Sequence, residues 1–441
     1  MKFITNIDKE KYDSFVSNNP KGHFLQSYVW GEFARLEKNL IPHYVGVVDD
    51  NDNLIASALL LEKKLPLKKS YFYIPRGPVL DYKDAKLLEF LVNSLKEYAK
   101  KNNGIFIKID PDLVINSENY LGEKKDTLFN RDSVKMFKAL GFKHLGFTKN
   151  FETMQPRYSF RIDNNQSLDD VVDHFSKTTK QRIKKAENIG AEVKIGTYDD
   201  LEDFYKLMIL TENRKDFVTH NLKYYQTLYK LSQGDKNCKC NLFVGSINLA
   251  NVLSDYTDRF NALNSEKNEL EFKEERSKKE NSRLNEVLRE LEKVEADLNK
   301  YKEYHKQYGD NIVLSGHFII SYGNKAWVLY AGNHNVLSET YVNYKTYLEH
   351  IKYYHDKVEI YDQFGTIGDL RTENHLLGLH EFKKKFGGDY VEFIGEFDLV
   401  LNKFFYFVFT KLVPIYRNIV KKLAKNKRHK ESQVKIWSLL N

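Results

Sequence analysis

Apolar positions recur along this chain with two periods, and the switches between them mark its elements. The first apolar stretches predict a helix over residues 8–17, a loop closing on Trp30, and a second helix through Leu36. Two alternating runs, residues 43–48 and 54–61, flank the polar turn DDNDN and predict a hairpin. A third strand over residues 70–74 ends in Pro75-Arg76-Gly77-Pro78, and a helix over residues 85–101 puts Leu87, Leu88, Leu91, Val92 and Leu95 on one face before the strand IFIKIDP. A similar unit returns far downstream. Strands over residues 317–322 and 326–330 flank Gly323-Asn324, Tyr330-Ala331-Gly332 takes the place of Tyr73 to Gly77, and a helix over residues 341–355 leads into VEIYD. Strands, helix and strand appearing twice predict an α/β (α+β) fold of two mixed-sheet domains facing a shared cleft.

Between the two copies the period tightens. Leu284, Val287, Leu291, Val294, Leu298, Tyr301, His305 and Tyr308 follow a 3-4 spacing without a break, and Leu253, Tyr256, Phe260, Leu263, Lys267 and Leu270 follow it more loosely before a polar stretch at residues 272–283. Two such helices in one chain predict an inserted antiparallel coiled-coil arm, the second helix reaching roughly 37 Å. A dimerising coiled coil is the alternative, which leaves homo- or hetero-oligomers open. The expected domains are residues 1–155, residues 156–246 with 310–400, the arm at 247–309 and a tail at 401–441.

Composition narrows the class. With 41% hydrophobic and 29% charged residues over 441 positions, the chain has ample core for a soluble protein. It contains no run of about 18 uncharged apolar residues and no apolar stretch at its start, so a cytoplasmic protein is expected. A net charge of +8 favours polyanionic partners. Cys238 and Cys240 fall on one face of a strand predicted over residues 237–247, which suggests a reducing compartment and no structural metal. In the tail, Phe404, Phe405, Tyr406, Phe407 and Phe409 precede Arg417, Lys421, Lys422, Lys425, Lys427, Arg428 and Lys430. Aromatic anchors beside a polybasic helix suit the inner face of the cytoplasmic membrane, and a core-docking helix with a solvated end is the alternative.

The candidate chemistry lies late in the second copy. A strand over residues 358–361 runs into Asp362, Gly365 and Gly368, Phe382 precedes Lys383, Lys384 and Lys385, and the chain turns on Gly387-Gly388 before returning to Glu396. A cation and a carboxylate at the ends of neighbouring elements suit a proton transfer or a developing oxyanion; a solvated lysine run before a plain hairpin is the alternative. This stretch resembles the closing segment of the Fem family of peptidoglycan bridge-forming transferases. The likeness continues in FLQSYVW, YIPRGPVLDY, IKIDP, QPRYSF, KTTKQRIKKAENIG, TENRKDF and WVLYAG, in one order over nearly the whole chain. The resemblance implies two acetyltransferase-like (GNAT-like) domains and an arm that holds tRNA. It also implies transfer of Gly, Ala or Ser from aminoacyl-tRNA, as co-substrate, to the stem-peptide amine of lipid II or UDP-MurNAc-pentapeptide. An aminoacyl ester is already activated, so no cofactor or metal is expected. The Gln/Arg-x-x-Gly-x-Gly/Ala loop that binds the pyrophosphate of acetyl-CoA is not found in the sequence, which disfavours a CoA enzyme.

The resemblance also assigns residues. Lys383, after Phe382, matches a lysine that contacts the reacting ester end of tRNA; as an ammonium it would offset an oxyanion, and as a neutral amine it would accept a proton. Glu396 matches a carboxylate near the same point, and Asp110 matches an aspartate with either a catalytic or a strand-end role. Tyr330 and Tyr224 match tyrosines of the precursor pocket, and Arg214 keeps the first basic position of TENRKDF. Two departures touch the phosphate grip: His220, six residues past Arg214, stands where relatives place an arginine, and Ala34, four residues after Trp30, where they place a lysine, with Arg35 adjacent. Arg76 and the basic helix of Lys177, Lys180, Arg182, Lys184 and Lys185 are the substitutes, and that helix is also suited to a tRNA backbone. The alternative function is a non-enzymatic, membrane-peripheral adaptor whose arm recruits partners.

Overall fold

The computed structural model describes residues 1–212 and 219–412, so Arg214 and the basic tail from Arg417 lie outside the described residues. The chain forms two compact units, one from residues 1–117, 126–157 and 392 onward, the other from residues 118–125 and 158–391.

In the first unit the strands lie in the order Lys2–Thr5, Ile41–Val48, Leu54–Leu65, Lys69–Ile74, Gly104–Ile109, Phe397–Val400 and Phe142–His144. Lys69–Ile74 and Gly104–Ile109 run parallel, with Ile74 opposite Ile109, because the helix Ala85–Lys101 carries the chain back between them. Asp84 caps that helix through the amide of Leu87, and Leu88, Leu91 and Leu95 press on Phe72, Ile107 and Ile109. Each fully buried side chain of this kind contributes about 1.5–3 kcal/mol.

The second unit repeats the motif. Its sheet runs Glu192–Gly196, Cys238–Asn248, Asn311–Tyr322, Lys325–Asn333, Ile360–Asp362, Tyr158–Asp163. Lys325–Asn333 and Ile360–Asp362 are parallel, joined by the helix Val342–His355. Two mixed α/β units with an inserted helical arm are therefore what the sequence patterns predict and what the chain adopts. Cys238 and Cys240 are buried free thiols on one face of their strand.

The arm interrupts a hairpin. Cys238–Asn248 pairs antiparallel with Asn311–Tyr322 up to Asn248 opposite Asn311, and helices Leu249–Glu271 and Lys278–Tyr308 stand where a turn would be. Tyr256 meets Tyr301, Arg259 meets Glu290 and Arg283 meets Glu266, so the helices run in opposite directions. The second helix begins at Lys278, earlier than the heptad pattern alone indicates, because Ser277 and Glu280 form a capping box. Its 31 residues give about 46 Å.

The second domain was expected to extend to residue 400, and the chain instead rejoins the first unit at Glu392. Phe397 and Leu399 are buried in the first core, and Phe397–Val400 bonds to strands on both sides. The sequence period is the same in either sheet, so pattern alone does not assign this strand.

Candidate active site

A cavity of about 660 Å³ opens in the second unit, walled by Tyr330, Tyr341, Tyr344, Phe364 and Phe382, with Arg182 and Lys383 as its cations. Three of its lining residues, Leu337 (φ 56°), Tyr341 (φ 55°) and Phe364 (φ 46°), are non-glycine residues in the left-handed region. Such backbone costs roughly 1–3 kcal/mol per residue and collects where a site needs a shape that relaxed chain does not give.

Lys383 fixes one wall. Only 8% exposed, its Nζ donates to the carbonyl oxygens of Gln363 (2.7 Å), Phe364 and Gly365 (2.7 Å). Three acceptors use all three protons of an ammonium, and a neutral amine has only two. Lys383 is therefore placed as a cation that clamps the left-handed loop after Asp362, and the neutral-amine role entertained from the sequence does not fit this geometry. Asp362 supports the same loop, accepting from the Phe364 amide (2.8 Å), from Ser159 and from Arg161 (2.8 Å). Gln363 spans it, accepting from the Tyr347 hydroxyl (3.1 Å) and donating to the Gly387 carbonyl (3.0 Å). Phe382 packs edge-on against Tyr344 and Tyr347, with ring centres 5.2 and 5.4 Å apart.

The structure also brings Tyr224, Tyr330 and His220 together. The two tyrosine hydroxyls are 2.8 Å apart, and the exposed His220 ring stacks on Tyr224 at 3.7 Å. The basic helix divides by face. Arg182 donates to the Tyr344 hydroxyl and lies over the Tyr341 ring at 5.2 Å, with Lys185 5.7 Å from the same ring. Lys177 and Lys184 are exposed, and Lys180 is paired with Asp173 at 2.8 Å.

A buried chain beside the cavity escaped the sequence reading. His317 Nδ1 lies 3.0 Å from His350 Nε2, and His350 Nδ1 lies 2.6 Å from the Tyr361 hydroxyl. Burial pushes His317 down to about 3 and His350 well below the usual histidine range, so both rings are neutral near pH 7. Histidines 33 positions apart give no local signal of such contact.

The remaining candidates belong to the first unit, and all but the exposed Arg35 are tied into its packing. Arg76 (φ 53°) is 4% exposed, donates to the Pro156 carbonyl and lies over Phe393 at 4.2 Å, so it is not presented as the phosphate grip proposed for it. Trp30 is buried between Phe24 and Phe33, and Arg35 pairs with Glu32 at 2.7 Å. Ala34 is fully buried, so its position faces the core. Glu396 accepts from Lys108 (3.2 Å) and the Met154 amide, and these contacts anchor a strand end.

Asp110, 3% exposed, accepts from the Tyr73 hydroxyl (2.8 Å) and the Arg76 amide (2.7 Å), holding the left-handed turn at Arg76. Burial raises its carboxyl to about 7. A carboxyl harder to ionise in the fold than in the unfolded chain stabilises the fold through its neutral form; that contribution is full below about pH 4 and is lost as pH rises toward 7. Asp110→Asn, neutral throughout, is expected to gain on the wild type by about 2 kcal/mol between pH 5 and pH 8. Urea unfolding at the two pH values measures this, and a pH-independent difference would remove the assignment.

Residues 7–413 match the model of the FemAB family. The chain is 29% identical to lipid II:glycine glycyltransferase of Staphylococcus haemolyticus (strain JCSC1435), covering 93% of this chain and 95% of that protein. It is 28% identical to the enzyme of the same name from Staphylococcus aureus (strain MRSA252), covering 92% and 95%. The crystal structure of FemX superposes with a TM-score of 0.74 at 28% identity, over 92% of this chain and 99% of that one. With a family model matched from its seventh residue to the end of the described structure, the chain belongs to the FemAB family.

Proposed function

We propose that this protein is a peptidoglycan bridge aminoacyltransferase that moves glycine from glycyl-tRNA to the stem-peptide amine of lipid II or its soluble UDP-linked forerunner. The observation that carries the reading is the Lys383-clamped aromatic cavity, in a chain that aligns almost throughout with lipid II:glycine glycyltransferases. In the reaction the neutral amine nitrogen bonds to the ester carbonyl carbon, the carbon–oxygen bond to the ribose breaks, and the proton that nitrogen gives up ends on the released ribose oxygen. Aromatic walls keep water from hydrolysing the ester. Arg182, fixed by Tyr341 and Tyr344, supplies a cation at the rim for a phosphate of the RNA. The exposed lysines of the same helix favour RNA approach there. The arm is a poorer match, because acidic residues outnumber basic ones between positions 249 and 308. A lipid-linked acceptor would place the enzyme at the inner membrane face; among the described residues no helix is long and apolar enough to cross a membrane.

Radiolabelled glycyl-tRNA incubated with protein and lipid II should yield a precursor longer by one residue, with alanyl- and seryl-tRNA poorer donors. Absence of product from all three donors, on both lipid II and the UDP-linked precursor, would overturn the proposal.

A further inference from the structure

One end of the first unit carries apolar side chains that its own packing does not use. Three chain reversals meet there. Strand Leu54–Leu65 turns back into Lys69–Ile74, with Leu65 opposite Lys69; Ser70 bonds to the Asn103 carbonyl beyond the helix end at Lys101 (3.1 Å); and the amides of Leu401 and Asn402 bond to the Ile105 carbonyl (3.0 and 3.1 Å). Lys69 Nζ lies 4.9 Å from the Phe405 ring, linking the first turn to the helical segment that starts at Lys403.

At the tip of the first turn, Leu67 and Lys68 both take left-handed backbone (φ 60° and 56°), a conformation that turns of this kind usually give to asparagine and glycine. Leu67 is 74% exposed. Phe404 (69%) and Phe407 (54%) are exposed on the neighbouring segment, followed by Leu412. Around them stand the exposed lysines Lys68, Lys101, Lys403 and Lys411. The nearby carboxylates are engaged: Glu62 is buried under Lys64 and Ser70, and Glu97 faces Lys100.

We propose that this end of the first unit is a docking face for an anionic lipid bilayer, with Leu67, Phe404 and Phe407 entering the headgroup boundary and the lysines meeting lipid phosphates. Apolar wedges ringed by lysine match that interface, where weak apolar insertion and a basic patch together give stable attachment. An RNA backbone would use the lysines and would leave an aliphatic wedge at a turn tip without a partner. The sequence beyond residue 412 adds Arg417, Lys421, Lys422 and further cations, the same sign as the ring of lysines. The face is built from described residues other than that tail, and it is read by lipid binding alone, so it stands or falls independently of the transfer reaction.

The test is sedimentation of the full chain with vesicles of phosphatidylcholine alone or with one quarter phosphatidylglycerol. The wild type is expected to bind the anionic vesicles preferentially. L67N/F404S/F407S, which alters only exposed side chains and gives position 67 a residue at ease in left-handed backbone, is expected to bind at least about tenfold more weakly. K68Q/K403Q should lose about fivefold per charge on anionic vesicles and little on neutral ones. Wild-type protein that ignores anionic vesicles, or a triple variant with unchanged binding and an unchanged melting curve, would overturn the proposal. So would loss of tRNA binding with lipid binding intact, which would assign the face to nucleic acid.

Discussion

Lys383→Met is expected to lower glycine transfer at least about a hundredfold and to cost about 3 kcal/mol or more of stability in the same variant. Methionine fills most of the lysine's volume and removes the ammonium, leaving the carbonyls of Gln363, Phe364 and Gly365 without the donor that now gathers them. Phe364 is held at φ 46°, so without the clamp its loop relaxes toward ordinary backbone and the cavity wall moves with it. Lys383→Arg should not rescue, because a planar fork does not reach three carbonyls converging on one nitrogen. Lys384, by contrast, is exposed, and Lys384→Ala should change stability by less than about 0.5 kcal/mol. Single-turnover transfer and urea unfolding of the three variants measure this. A Lys383→Met protein of wild-type stability that lacks only activity would argue for direct chemistry by the ammonium and against a clamp.

The second large effect is expected at Arg157. Its side chain is 1% exposed, pairs with the nearly buried Glu392, and donates through Nε to the Thr148 carbonyl at 2.9 Å. Arg131 reaches the same Glu392 oxygen at 3.1 Å from a far more exposed position. Arg157→Met removes the buried partner and leaves Glu392 desolvated beside a single solvent-facing arginine. Breaking one side of such a pair costs about 3–5 kcal/mol, whereas replacing both sides by apolar groups is often close to neutral. Arg157→Met/Glu392→Met should accordingly be more stable than Arg157→Met alone. Urea unfolding of the two single variants and the double gives the coupling; simple additivity would mean that the pair holds nothing. The pair also marks where the chain leaves the first unit and returns to it, since the Phe393 amide bonds to the Arg157 carbonyl at 2.8 Å.

What could be read from the sequence was whatever is encoded close in sequence. The helix Ala85–Lys101 announces itself by its apolar stripe, and the Gly323-Asn324 hairpin by its turn residues. The resemblance matched Tyr224 and Tyr330 to pocket tyrosines and set His220 separately, at a lost arginine; the contact of the three rings is a finding of the structure. The role of Lys383 was not legible because its partners are backbone oxygens, which every residue has. Asp110 and Glu396 were assigned by resemblance and Arg76 as a substitute cation, and the structure bonds each of them within the first unit. Left-handed Arg76, Tyr341 and Phe364 carry no sequence mark at all, since nothing in arginine, tyrosine or phenylalanine asks for that backbone.

The placement of the arm has a consequence for how such proteins change over time. Val252 and Tyr301 at its base pack with Ile312, Leu337 and Val342, while Leu263, Val287, Leu291 and Val294 form a separate core farther out. The base is thus committed to the sheet and the outer part only to itself. Seven residues added to or removed from each helix would shift the tip by about 10 Å and leave every strand register untouched. Span is therefore a trait that selection can adjust in fixed steps, as on a ruler, without renegotiating the pocket beneath it.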